Sequence, residues 1–409
     1  MSVDARPVSA RAAAIVLAVV LTACSAKSDK PRGAGDSLRV GASISLTGSL
    51  AREGLLTRQG YELCQDVVNG KGGVKAGDKS LKLDIAVQDD TSKPDTAGQL
   101  VDQFNDKGIK LILGPYGSAA TEAVAAVVER NQQVMADSAG ADDKIFEKGY
   151  TRTFAVLSPA SEYASAIVDA IAELANPKPK TVAFLSADDG FSKTVAQTGA
   201  LEAQKQGMRV LATEFFPNGA TDVSSALTKV KGLKPDLIIG SVHLAEGVAI
   251  IKQAKELGVK PAGGFGETVA PPTPDFVRTL AADAEGVLGS SQWVPEVKGD
   301  DKWFGTARDY SAAFQKKFGA EPAYHNAQAS AACLTLVLGV EKADSIDPGR
   351  VREAVASIDT QSFFGPIKFD PTGKNVTKKM AVIQIQGGQP ITVWPKEAAT
   401  KALVWPGSR

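Results

Sequence analysis

The sequence predicts an α/β protein built as two doubly wound, parallel-sheet lobes. Strand-like and helix-like segments alternate in two separate series, over residues 38–155 and 180–268. Strands separated by helices of roughly 10–15 residues form parallel sheets covered on both faces. The length of 409 residues suits two domains or slightly more, taking about 150 residues per domain. The loops that would follow the strands are rich in Gly, Ser, Thr, Asp and Glu, as a ligand cleft requires.

The first segment stands apart from this rhythm. Arg6 and Arg11 precede the apolar run Ala12 to Leu21, followed by Leu21-Thr22-Ala23-Cys24. A basic start, a short apolar stretch and small residues before a cut describe a secretory signal over 1–23. The run is too short to span a bilayer, which takes roughly 20 apolar residues. Leu-Thr-Ala-Cys resembles the lipobox of bacterial lipoproteins, which implies that Cys24 becomes the lipidated first residue of the mature chain. The polar, small and Pro/Gly-containing stretch that follows, to Asp36, has the composition of a flexible tether. Cleavage removes two basic residues and one acidic one, so the mature chain stays within one charge of neutral.

The first series opens with the strand-like Leu38 to Leu46, stopped at Thr47-Gly48. Leu56, Gly60, Leu63, Cys64, Val67 and Val68 form a helical stripe closed by Gly70-Lys71-Gly72-Gly73. Leu81, Leu83, Ile85 and Val87 alternate as a strand that ends at Asp89-Asp90. Pro94 opens a helix with Ala97, Leu100, Val101 and Phe104 on one face. Ile109 to Leu113 is a short apolar strand ending at Gly114-Pro115.

The second series runs strand 181–185, helix to Gly207, strand 208–216 and helix 223–230. Strand 236–240 follows, then helix 245–257 stopped by Gly258. Ligands on open α/β sheets bind beyond the carboxyl ends of the strands. The candidate loops are therefore 46–54, 89–92, 114–121, 136–142, 186–192, 241–246 and 266–270, converging on a cleft between lobes.

Composition removes several functions. Lys+Arg 46 against Asp+Glu 46 leaves no net charge to attract a polyanion. Two histidines, His243 and His325, do not make a His-rich metal site, and three cysteines do not make a disulfide framework. Cys64 and Cys333 lie in a compartment that permits a disulfide. Nearly 270 positions of separation do not announce one, so two buried free thiols is the favoured reading.

No G-x-x-x-x-G-K-S/T, G-x-G-x-x-G after a strand, G-x-S-x-G or H-E-x-x-H occurs. The paired carboxylates Asp89-Asp90, Asp142-Asp143 and Asp188-Asp189 sit at strand ends, where solvated or capping roles are the ordinary ones. No activated nucleophile with its base is present, so the chain reads as a non-enzyme without a cofactor.

One loop carries more. Gly114-Pro115-Tyr116-Gly117-Ser118-Ala119-Ala120-Thr121 runs from a strand into a helix, with Ser118 at the helix start. Free backbone N–H groups and a hydroxyl there suit a carboxylate. Equally, Ser118 caps only its own helix.

Taken in order, four segments resemble the leucine/isoleucine/valine-type periplasmic binding proteins of branched-chain amino-acid ABC transporters. They are Gly41 to Gly48, Val68 to Val74, Ile112-Leu113-Gly114 before Ser118, and Phe363 to Asp370. The resemblance covers about 37–400. It implies a type I periplasmic binding fold, a flytrap whose lobes are joined by three crossovers near 154–159, 288–293 and 361–366. Lobe one would then be 37–156 plus 292–362, and lobe two 157–291 plus 363–409, with Gly289-Ser290-Ser291 and Gly365-Pro366 at hinges.

The resemblance also implies site roles. Ser118 and nearby amides such as that of Gly117 hold the ligand carboxylate. The backbone carbonyl at Ala139, a hydroxyl at the position of Ala141 and the acid Glu267 hold the ammonium. Phe191 and His243 stand at aromatic positions of the second lobe, and Tyr116, Tyr324 and Gln328 line the side-chain pocket. Alanine at 141 departs from the pattern and removes one ammonium contact, which Asp137 could replace.

The expected function is a lipid-anchored, extracytoplasmic receptor of an ABC importer, binding an amino acid or related small polar metabolite. It would act as a monomer, with permease subunits as partners and no nucleic acid. A sensor or importer component for an amide, urea or organic acid is the alternative within the fold. An exported nucleotide-dependent enzyme lacks its phosphate fingerprint here. A DNA-binding repressor would need a helix-turn-helix where 1–36 hold a signal and tether.

Overall fold

A computed structural model describes residues 1–2 and 37–406. The signal expected over 1–23, the lipid site Cys24 and the tether lie outside the described residues, apart from the first two positions. Among the described residues no helix is long and apolar enough to cross a membrane.

The first sheet collects β1 (Ser37–Ile44), β2 (Val74–Ala76), β3 (Lys79–Asp89), β4 (Leu111–Leu113), β5 (Val134–Asp137) and β6 (Thr153–Ala155). Its order is β2-β3-β1-β4-β5-β6, parallel except for the β2–β3 hairpin. Helices α1 (Ala51–Gly70), α2 (Pro94–Asp106) and α3 (Ser118–Arg130) connect these strands. Asn69, in the last turn of α1, donates to the Leu83 carbonyl and accepts from the Leu83 N–H. Its amide thus imitates a backbone partner and sets the helix against β3.

The second half continues with α4 (Tyr163–Leu174), β7 (Thr181–Ala187), α5 (Gly190–Lys205), β8 (Arg209–Phe216) and α6 (Ser224–Leu233). Next come β9 (Leu237–Ser241), α7 (Leu244–Leu257), β10 (Phe265–Glu267), α8 (Pro274–Leu280) and β11 (Leu288–Ser291). A small hairpin, β12 (Asp300–Asp301) and β13 (Gly305–Thr306), precedes α9 (Ala307–Phe318), α10 (Tyr324–Ala343) and α11 (Pro348–Ala356). A second hairpin, β14 (Asp359–Ser362) and β15 (Gly365–Lys368), leads to β16 (Ala381–Gln386) and β17 (Gln389–Trp394). The second sheet has the order β17-β16-β11-β10-β9-β7-β8, its last two strands in sequence joining antiparallel.

Helix α10 packs back on α1 and on the first sheet, so the chain passes three times between the two sheets. The three passages are tied to one another. Ser158 and Gln292 exchange hydrogen bonds of 2.9 and 3.0 Å, backbone against amide, and the Ser158 hydroxyl donates to the Lys378 carbonyl. Asn375 donates to the carbonyls of Val156 and Pro366. The buried Lys378 ammonium lies 4.6 Å from the centre of the Phe364 ring.

The α1–α10 contact corrects the expectation for the cysteines. Cys64 and Cys333 form a disulfide, with Cα atoms 6.4 Å apart. Gly60 lets the helices approach: a Cβ there would lie 2.2 Å from the Asn326 carbonyl oxygen. With the helices that close, Cys64, four residues beyond Gly60, meets Cys333, seven beyond Asn326.

The carboxylate pairs brace loops. Asp90 is buried and accepts from the hydroxyls of Ser43 and Ser45, while Asp89 accepts from Leu46, Thr47 and Thr91. Asp189 caps α5 through Ser192.

Candidate functional site

In a parallel sheet each helix begins where a strand ends, so helix N-termini gather on the carboxyl side. Here the gathering serves both sheets at once. Ser118 is the first residue of α3, Tyr163 of α4 and Tyr324 of α10; Phe191 is the second of α5, and His243 immediately precedes α7. All five line one cavity, together with Tyr116, Gly117, Ala139, Val269 and Gln328. Each helix start carries partial positive charge, so five together favour an anion.

The start of α3 leaves its backbone donors open. Gly117 precedes it without a side chain to cap the first turn, and that turn holds no acid. The Ser118 hydroxyl does not cap its own helix. Its oxygen accepts from the Asp142 N–H at 3.1 Å, which leaves its proton to donate elsewhere. Hydroxyl and orphan amides of the same turn are therefore available together.

The walls are aromatic. Tyr163 packs edge-to-face on Phe191 at 5.1 Å between ring centres, and Phe191 lies 5.4 Å from His243. The Tyr116 hydroxyl and His243 Nδ1 are 3.4 Å apart, joining the wall of one sheet to that of the other. Tyr116 lies 5.7 Å from His325, and His325 stacks on Tyr324 at 4.0 Å. Burial drives the His325 pKa down to about 3, so its imidazole is neutral; neither ring nitrogen has a hydrogen-bond partner.

The two walls are closed on each other. Arg52 of α1 pairs with Asp275 of α8, which also pairs with Arg278. Thr194 of α5 donates to Asp142 at 3.0 Å. Glu53 of α1 is buried against the start of α7; burial raises its pKa, while His243 and the Leu244 N–H pull it back. The free space inside is about 20 Å³, close to one water. Admitting a metabolite therefore requires the walls to part.

Eight of the ten residues expected at the site meet here: Tyr116, Gly117, Ser118, Ala139, Phe191, His243, Tyr324 and Gln328. Two stand elsewhere. Ala141 is packed in the core beneath the first passage, its carbonyl accepting from the Ala160 N–H at 2.7 Å. Glu267 turns under α7, into space that exists because residue 247 is glycine: a Cβ there would lie 2.5 Å from its Oε2. Fully buried, with neither oxygen hydrogen-bonded, Glu267 has its pKa pushed well above the carboxylate range by desolvation.

Asp137 is also occupied, accepting from the N–H groups of Ala139 and Gly140 and from Thr121; burial raises its pKa to about 6. Tyr163 and Val269 were not foreseen. An aromatic residue opening the first helix past a crossover is the signal for Tyr163, and Val269 falls within the candidate loop 266–270. Among the described residues no group of three or more His, Cys, Asp or Glu is placed to hold a metal.

The family described as "Periplasmic binding protein" matches residues 37–389. A Brucella suis protein named Leu/Ile/Val-binding protein homolog 7 is 23% identical over 388 residues, covering 91% of this chain and 95% of that one. A leucine binding protein from Thermotoga maritima superposes with a TM-score of 0.77 at 20% identity, over 87% of this chain and 97% of that one. A solute binding protein of an ABC transporter from R. palustris, solved with benzoate, superposes with a TM-score of 0.73 at 17% identity, over 90% and 98%. At these identities the structural likenesses establish the fold, and ligands vary within it. The match over most of its length, on two sheets closed around one cavity, makes this chain a member of the periplasmic binding protein family.

Proposed function

We propose that this protein is a lipid-anchored receptor that captures a small carboxylate-bearing metabolite outside the cytoplasm and delivers it to an ABC permease. The observation that carries the reading is the start of α3, where the Ser118 proton and uncapped amides face a cavity shared by both sheets. The ligand carboxylate sits there, and closing the walls buries it. The permease recognises the closed form, so delivery follows a population shift. Cys24 holds the chain at the membrane through its lipid.

The family resemblance favours a branched-chain-type amino acid as ligand. A carboxylic acid without an ammonium is the second reading: the small cavity itself has no carboxylate in its lining, and the nearest acids, Asp142 and Asp189, stand in the adjoining space beside Ser118 and Phe191.

Ser118→Ala tests the first claim. A charge-assisted hydrogen bond is worth about 1.5–3 kcal/mol, so affinity for the cognate ligand falls roughly tenfold or more in calorimetry while the unliganded fold stays intact. Unchanged affinity would remove Ser118 from the site. Cys24→Ser separately releases the protein from membranes on fractionation, and retention would defeat the anchor.

A further inference from the structure

We infer that closing the cleft takes up a proton, held by acids of the first sheet's wall that the opposite wall seals from water, Glu53 foremost. This rests on the receptor reading above, in which capture is closure, and makes capture tighten as the surroundings acidify.

The first ground is where the acids stand. Glu53 is carried by α1, on the side of the first sheet, and is 3% exposed. Facing it from the opposite wall are His243, the Leu244 N–H and Glu246, all at the start of α7. The next residue, Gly54, seats the helix start on the chain leaving β1, since a Cβ there would lie 1.8 Å from the Ser45 carbonyl oxygen. Asp142 follows β5 and accepts from Thr194 of α5 at 3.0 Å; a Cβ on Gly190 of the same helix would lie 2.7 Å from its other oxygen. Both acids therefore meet the second wall only while the walls are together, and face water when they part.

The second ground is the charge around them. Arg52, beside Glu53, is committed to Asp275, which also takes Arg278. Of the rings on Glu53's own side, His325 is neutral, and burial holds the Tyr116 and Tyr324 hydroxyls well above the usual phenol range. His243 thus faces Glu53 in company with a second acid, Glu246, which accepts from the Gly219 N–H. Around Asp142 stand Lys144 and Asp143 of its own loop, Asp143 near Lys374, Lys148 paired with Glu122, and across the seam Asp189, which caps α5. Moving a carboxyl from water into such places favours its neutral form. For both acids burial is the largest influence and raises the pKa; hydrogen bonds, with His243 or Lys144, offset it in part.

Two other buried acids keep their surroundings as the walls part. Glu267 lies against Gly240 and Gly247 of its own side, and Asp137 accepts from Thr121, Ala139 and Gly140 of its own. The closed form therefore binds more protons than the open one, so the closed-to-open ratio rises as pH falls, by at most about tenfold per pH unit for each proton. The rise ends near pH 4, roughly where an exposed carboxyl is itself protonated.

The test is small-angle X-ray scattering of the unliganded full chain between pH 8 and pH 5, in an Arg52→Ala background that populates the open form. The radius of gyration should fall on acidification. Glu53→Gln should make the protein compact already at pH 8 and remove the larger part of the slope; adding Asp142→Asn should remove the rest. Glu267→Gln should leave the slope as it was. Circular dichroism checks the fold of each chain, and Glu53→Met, of similar size and uncharged, repeats the comparison if the glutamine chain does not fold. A radius that does not fall toward pH 5 overturns the inference, and a slope untouched at position 53 overturns the assignment to Glu53. With no ligand present, failure here leaves the receptor reading standing, and a Ser118→Ala variant of unchanged affinity leaves the proton uptake standing.

Discussion

The Cys64–Cys333 bridge offers the cleanest perturbation. It joins α1 to α10 across a sequence separation of 269, so in the unfolded chain it closes a very long loop. The chain-entropy relation gives about 5–6 kcal/mol for such a loop at 25 °C, and native bridges more commonly deliver about 2–4 kcal/mol. Unfolding entropy near 2.1 cal/mol/K per residue, over the 370 residues from 37 to 406, converts roughly 3–5 kcal/mol into a midpoint drop of about 4–6 °C.

The assay is differential scanning calorimetry of the Cys24→Ser protein with and without reductant, beside the Cys64→Ala/Cys333→Ala pair. The reduced protein and the double variant should melt together, several degrees below the oxidised form. The unfolded, unreduced protein should titrate no free thiol. An unchanged midpoint, or two thiols per chain before reduction, would refute the bridge and return both cysteines to being packed thiols.

Two further outcomes are expected. Burial lowers the Lys378 pKa from 10.5 to about 7; between those values the unfolded chain holds a proton that the folded chain lacks, so stability rises with pH across that window. Lys378→Met should therefore be more stable than wild type by about a few kcal/mol at pH 6. That difference, followed by urea denaturation, should shrink toward pH 10; a difference independent of pH would sink the assignment. Arg52→Ala removes the pair with Asp275 between α1 and α8, worth about 1 kcal/mol for a partly exposed pair. The open population should rise several-fold, read as a larger radius of gyration in solution scattering of the unliganded protein, with no change if the pair does not hold the walls together.

The strands and helices were legible where their periodicity was long. The alternation Leu81, Leu83, Ile85 and Val87 is β3, and the stripe from Leu56 to Val68 is α1. Strands β6 and β10 have three residues each, too few to show a period. The cavity was legible because a helix start after a strand is a local event, visible at Ser118 and Phe191, and the family resemblance aligned the rest. What escaped was tertiary. No spacing tells that Cys64 meets Cys333, since their meeting depends on two helices that Gly60 allows to touch. Likewise, Glu267 could be placed at a strand end, but its direction depends on the missing side chain of Gly247, twenty residues earlier on another element.

The bonds among Ser158, Gln292, Asn375 and Lys378 have a mechanical meaning. Two bodies joined by three independent strings can slide, twist and bend in several combinations. Lashed together at one place, the strings become an axle, and the bodies keep essentially one angle between them. A ligand that changes that angle moves every surface point of one body along a determined arc relative to the other. Whatever docks against both bodies then reads a single number, and a solute that fits the cleft badly registers as an intermediate angle instead of a new shape.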